Sequence, residues 1–262
     1  MINKYHSVTV KPTIKASKQT SAFAAGDVLF DWTPFDVPKG SNLLRCTVVL
    51  VRGTNGADQA AVDMELFFAK SIDGTAPSTL GDLNDPVDTA TATGTSTTGW
   101  FNNIIGYNYL DVSANNTGSS DDLVYMNTLQ CGAPRASSGV VLTGEPNSGT
   151  NVGYDKIYVA GITQGALDFS TTVLARGGEA DGVTTVETDK GSNDDPNADL
   201  IFQPGDVLHS ATDDVLGTIK TIEAFGSSKQ DITFTAGTTD IIADNEEIYN
   251  VNPVTLIFSF ER

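Results

Sequence analysis

The residues able to do chemistry in this chain are few. The two histidines, His6 and His209, stand about 200 residues apart, and no G-x-S-x-G run accompanies them. A nucleophile elbow is therefore missing, and a general base beside the N-terminus would lack a rigid seat. Both histidines read as ordinary surface or turn residues. The two cysteines, Cys46 and Cys131, match neither metal-ligand nor redox spacing and read as buried small hydrophobes. Neither a G-x-x-x-x-G-K-[ST] loop nor a G-x-G-x-x-G run is present to cradle a phosphate. Acid pairs do occur, at Asp121-Asp122, Asp194-Asp195, Asp213-Asp214 and Glu246-Glu247, and two carboxylates are what glycoside hydrolysis requires. Neighbouring side chains on a strand point to opposite faces, however, so these pairs read as solvated turn residues.

One metal is worth carrying. Asp189, Asn193, Asp194, Asp195, Asn197 and Asp199 crowd hard oxygen donors into a loop with Gly and Pro, the ligand type calcium prefers, but without the EF-hand spacing. The expectation is a solvated acidic loop with calcium as the minority reading, and no other cofactor.

Two further features could serve recognition. Trp100-Phe101, followed by Tyr107 and Tyr109, comes after the Thr-rich run of residues 89–99; exposed aromatics there could stack on a sugar or anchor a protein interface. The competing reading is a cap on one end of a core. Lys4, Lys11, Lys15 and Lys18 are the only charges in the first 20 residues of a chain whose net charge is −18. They either protect an edge strand from unwanted pairing or form an arm that docks on an acidic neighbour, another copy included.

The scaffold for these residues is short strands. The 262 residues are 39% hydrophobic and 18% charged, too apolar for an acidic disordered chain. Apolar runs with period-2 alternation, separated by Gly, Asn, Asp, Ser and Pro, predict strands at Ser7–Ile14, Val28–Trp32, Leu43–Arg52, Val62–Ala69, Leu123–Leu129, Lys156–Ile162, Val207–Leu208, Val215–Ile222, Asp231–Thr235 and Val254–Phe260. Helical turns are expected only at Asn102–Val112 and Gly56–Asp63, and Asp31-Trp32-Thr33-Pro34-Phe35 reads as a core strand ending in a turn. Residues 176–199 are dense in turn formers and read as loop. The fold class expected is all-β: a jelly-roll-like β-sandwich over residues 1–175 plus 251–262, with a small barrel-like β-domain over 176–250. A contiguous C-terminal domain is the alternative.

The glycine and apolar pattern of the C-terminal third, Gly205-Asp206-Val207-Leu208, Leu216-Gly217-Thr218-Ile219, Ile232-Thr233-Phe234 and Ile248-Tyr249-Asn250-Val251-Asn252-Pro253-Val254, resembles virion structural proteins of tailed bacteriophages, especially those infecting cyanobacteria. The resemblance covers about a quarter of the chain and includes no catalytic signature. It implies a non-enzymatic virion protein, either a capsid decoration or cementing subunit, or a tail- or fibre-associated receptor (glycan) binder. A carbohydrate-active enzyme is the remaining class. The implied partners are the major capsid protein or other virion proteins, and further copies of the chain, with a trimer as one arrangement. The acidic surface argues against nucleic acid, and no apolar run approaches bilayer length. The first eight residues lack the apolar core of a signal peptide, so the expectation is synthesis in a host cytoplasm and residence in the virion.

Overall fold

The computed structural model describes residues 4–53, 62–71, 76–88, 99–111, 124–130 (backbone only), 140–147, 153–189, 197–223 and 229–262. Their strands, in chain order, are β1 (Tyr5–Val10), β2 (Val28–Pro38), β3 (Ser41–Arg52), β4 (Met64–Ala69), β5 (Ile104–Leu110), β6 (Val124–Gln130), β7 (Val140–Thr143), β8 (Glu145–Pro146), β9 (Tyr154–Thr163), β10 (Val173–Leu174), β11 (Thr185–Asp189), β12 (Val207–Ser210), β13 (Val215–Ile222), β14 (Lys229–Phe234), β15 (Glu247–Asn250) and β16 (Val254–Glu261). A single helical turn, α1 (Ala198–Ile201), precedes β12. The chain is all-β.

Two antiparallel sheets face each other. The first runs β1-β16-β3-β6, with β7 extending the β6 side of β3; the second runs β2-β9-β4-β5, with β8 against β9. Setting aside the short β7 and β8 and the strands between β9 and β16, the first sheet takes the first, eighth, third and sixth strands in chain order. The second takes the second, seventh, fourth and fifth. This interleaving is the double-sheet jelly roll.

Alternation decides which side chains meet between the sheets. In β16, Val254, Leu256, Phe258 and Phe260 point inward and are fully or nearly fully buried, while the residues between them are not. Phe258 stacks on Phe35 of β2, with ring centroids 5.3 Å apart, and meets Phe68 of β4 edge-on at 5.4 Å. One aromatic cluster thus ties the first sheet to two strands of the second. Within the second sheet, Gly161 of β9 makes room for the ring of its register partner on β2, the fully buried Phe30: an added Cβ would lie 2.4 Å from Phe30 Cε1. Gly161→Val should therefore destabilise the protein by about 1–3 kcal/mol through overpacking, a loss readable as a lower urea midpoint.

The third sheet, β10-β15-β12-β13-β14-β11, is built from residues between β9 and β16. Its two ends meet at a bridge between Ala175 and Thr188, so the sheet curls into a nearly closed barrel. Val186, Leu208, Leu216, Ile219, Ile232 and Phe234 fill it, and α1 contributes Ala198 and Ile201 to the same core.

Several sequence expectations are corrected. Asn102–Val112 is not helical: after a 3-10 turn at Trp100–Asn103 it forms β5. There Gly106 admits the Leu142 and Val140 side chains of β7, within 2.9 Å of where its Cβ would be. Strand β2 continues through Pro34 to Pro38 instead of turning after Trp32. It is an edge strand, where a residue lacking an N–H is tolerated. Pairing of β1 ends at Val10 rather than Ile14, just before Pro12. The loop expected at residues 176–199 contains β11 and the start of α1. Cys46 is half-buried rather than in the core. A bulge at Arg45, between the pairs Leu44 with Phe260 and Cys46 with Ser259, reverses which face the residues of β3 occupy. Cys131 and most of Gly56–Asp63 lie outside the described residues.

Candidate functional site

An open groove of about 520 Å³ lies between the β1–β2 connection, the edge of β2 and the segment at residues 79–83. Local backbone irregularity creates it. Between Phe30 and Thr33, β2 carries one residue more than its partner β9, the signature of a bulge at Asp31-Trp32. Bulges at sheet edges re-aim side chains, and here Trp32 lines the groove instead of joining the sandwich core. The indole is fixed in place: Nε1 donates to the Ser78 carbonyl at 2.7 Å, and the ring lies 6.5 Å from that of Trp100. The Leu80 amide donates to Asp31 Oδ1 at 3.1 Å, pinning the opposite wall to β2.

Two of the lysines singled out in the sequence line this groove. Lys18 faces Asp85 at 3.8 Å, while Lys15 is exposed and forms no ion pair among the described residues. Asp82 is likewise exposed at the rim. Asn84 holds the two walls together from a left-handed backbone conformation (φ 56°), which Asn accepts more readily than most residues. Its amide donates to the Lys18 and Ser21 carbonyls and to Ser21 Oγ.

Lys4 lies at the far end of β1 on Glu261, which Arg45 also contacts, each at 2.5 Å. These cations hold the Glu261 carboxyl below its ordinary range, with hydrogen bonds from both as the leading cause. Lys11 follows β1, where its carbonyl accepts from Asn252 Nδ2 at 3.3 Å. Lys4 therefore lies at the opposite end of β1 from the other three, all of which are in the β1–β2 connection, and the four do not form one patch.

The same N-terminal connection joins sandwich to barrel. Ser17 donates to Asp213 through its amide (2.9 Å) and hydroxyl (2.6 Å), and Gln19 Nε2 donates to the Asn250 carbonyl at 2.9 Å. Alongside, Arg52 at the end of β3 donates to Asp206 Oδ1 at 2.9 Å, and both side chains are largely buried. Burial pushes the Asp206 carboxyl above its ordinary range, with the Arg52 charge and the Gln203 amide opposing the shift.

Of the four aromatics expected at a recognition loop, Trp100, Phe101 and Tyr107 join one cluster around Phe67 on the outer face of the second sheet, while Tyr109 is held by Asp63 further along β5. Trp100 is 7% exposed and packs against Phe67, as does Tyr107. Phe101 (66% exposed) and Tyr107 (44%) are open to solvent. Tyr109 donates to Asp63 at 2.7 Å, and that bond raises its phenol to about 12. Trp100 thus belongs to the cap, while Phe101 and Tyr107 remain on the surface.

Of the calcium candidates, Asp189 lies 3.7 Å from Arg176. Asp199 sits in the first turn of α1, and Asn193, Asp194 and Asp195 lie outside the described residues. No group of three or more His, Cys, Asp or Glu arranged for a metal occurs among the described residues. The described carboxylate pairs are engaged locally: Asp214 accepts from Thr212 Oγ1 and Glu246 from the Ala243 amide, both in turns, and Glu247 accepts from the Tyr249 hydroxyl within β15. Asp121-Asp122 is outside the described residues. His6 stacks on Phe260 at 5.1 Å, and His209 Nδ1 lies 3.1 Å from the Asp213 carbonyl. Among the described residues, no helix is long and apolar enough to cross a membrane.

No family model and no curated protein matches the chain. Among solved structures, a chain of the infectious bursal disease virus Gx strain is 9% identical with a TM-score of 0.21, over 99% of this chain and 37% of that one. The present chain therefore spans little more than a third of that protein. The STIV MCP is 13% identical with a TM-score of 0.15, over 99% and 97% of the two chains. A chain of Israeli acute paralysis virus is 18% identical with a TM-score of 0.11, over 62% and 70%. Likenesses this remote carry no argument about what the chain does.

Proposed function

We propose that the chain is a non-enzymatic structural subunit of a virus particle, with a jelly-roll body carrying an inserted barrel that runs from β10 to β15. The observation that carries this reading is the strand interleaving, β1-β16-β3-β6 against β2-β9-β4-β5, an architecture recurrent in viral capsid domains and also found in lectins and cupins. Fold alone does not assign function. Two features add support. The two described acidic pairs are engaged in hydrogen bonds to Ser17, Thr212, Ala243 and Tyr249, and the C-terminal pattern resembles tailed-phage virion proteins.

Within that reading the chain is a decoration or cementing subunit at the particle surface, contacting the major capsid protein and its own copies. Repeated weak contacts on a symmetric shell sum to stable attachment. The exposed Phe101 and Tyr107 favour, as the second reading, a tail-associated protein that binds a receptor. Immunogold labelling of intact particles with antibodies to the barrel separates the two. Label spread over the head is the expected result, label confined to the tail supports the second reading, and unlabelled particles contradict both.

A further inference from the structure

We propose that the groove beside Trp32 is a saccharide-binding site, taking a neutral, hydroxyl-rich ring against the indole. Its volume of about 520 Å³ falls in the range of small-ligand sites, which run to roughly 300–1,000 Å³. The aromatic surface is rigid before any ligand arrives. The Ser78 carbonyl holds the indole N–H, Trp100 lies behind the ring, and the β2 bulge sets the backbone. Little ordering entropy is then left to lose on binding.

The polar rim determines the class of ligand. Lys15 donates and Asp82 accepts, and both are exposed and have no ion-pair partner among the described residues. The Thr33 hydroxyl donates to the Asp31 carbonyl at 3.0 Å and keeps its lone pairs to accept. Two lysines and two aspartates line the groove, so its charges balance, although the whole chain carries −18. A ligand of many hydroxyls uses donors and acceptors together, whereas a phosphate or carboxylate would meet Asp31 and Asp82. An apolar indole face with mixed rim groups therefore matches a sugar ring, whose C–H face stacks on the aromatic and whose hydroxyls reach the rim.

The test uses the full chain on an array of immobilised neutral and acidic oligosaccharides, followed by titration with the strongest neutral binder. The sequence has two tryptophans, so a Trp100→Phe variant leaves Trp32 as the only indole and reports occupancy through its emission. The expected result is a saturable shift of that emission, with affinity measured by calorimetry falling about tenfold or more in both Trp32→Ala and Lys15→Ala. Lys15 is exposed, so Lys15→Ala should keep the parent melting temperature and guards against a loss caused by unfolding. Binding of acidic oligosaccharides only, binding of none, or full affinity in either variant overturns the assignment. Incorporation into particles is read independently, so failure of this site leaves the structural role standing, and the reverse also holds.

Discussion

Phe258→Ala is expected to lower the stability of the sandwich by about 3–5 kcal/mol, as large-to-small aromatic replacements in close-packed cores do, with a fall in melting temperature of roughly 10 °C or more. The size of the effect follows from position. Phe258 is fully buried on the central strand β16 and contacts Phe35, Phe68 and Phe260. Removing its ring opens a void that both sheets line. The barrel has its own core, in which Phe258 takes no part. Hydrogen exchange should therefore accelerate in β3, β9 and β16 while β12 to β14 keep their protection. Equal loss of protection in both units would show that they unfold as one.

Arg52→Met should cost a similar amount, about 3–5 kcal/mol, because it strands the Asp206 carboxylate in a buried site. Asp206 is 4% exposed, and its other oxygen accepts the Gln203 amide at 2.9 Å, so water has little room to replace the guanidinium. The pH dependence has a definite sign. Burial already raises the carboxyl above its ordinary value. A group raised on folding adds stability below its unfolded pKa and loses that contribution as pH rises through the folded value. Removing Arg52 takes away an opposing influence and raises the carboxyl further. The defect of Arg52→Met should therefore be largest at neutral pH and shrink on acidification. Urea titrations at neutral pH and near pH 4 check this, and a defect that grows with acid would contradict it. The double variant Arg52→Met/Asp206→Leu should recover much of the loss, since an apolar pair of similar volume can replace a buried ion pair.

Alternation made much of the fold legible. The regular runs in β3, β14 and β16 bury every second residue over most of their length, which is what a period-2 pattern reports. Elements departing from that pattern were missed for identifiable reasons. In β5, Ile104-Ile105-Gly106-Tyr107-Asn108-Tyr109-Leu110 spaces its apolar residues ambiguously between helix and strand, and pairing with β4 decides the outcome. In β11, Thr185-Val186-Glu187-Thr188-Asp189 buries only Val186 and Thr188, too weak an apolar signal to stand out among neighbouring glycines. The Trp32 groove was hidden because a bulge is defined by the partner strand, and which strand pairs with β2 cannot be read from β2. The one local hint was a Trp followed closely by Pro34, a residue that itself marks an edge strand. The Trp100 cluster showed the opposite limit: composition located the aromatics, but only packing separates the buried Trp100 from the exposed Phe101.

The central claim, that this jelly roll is a structural subunit of a virus particle, is tested most directly by quantitative mass spectrometry of gradient-purified particles from a lysate that expresses the chain. The decoration reading predicts on the order of hundreds of copies per particle, as repetition on a symmetric shell requires. A few to a few tens of copies would move the chain to the tail or a vertex. Its absence from purified particles, with the protein abundant in the same lysate, would contradict the account.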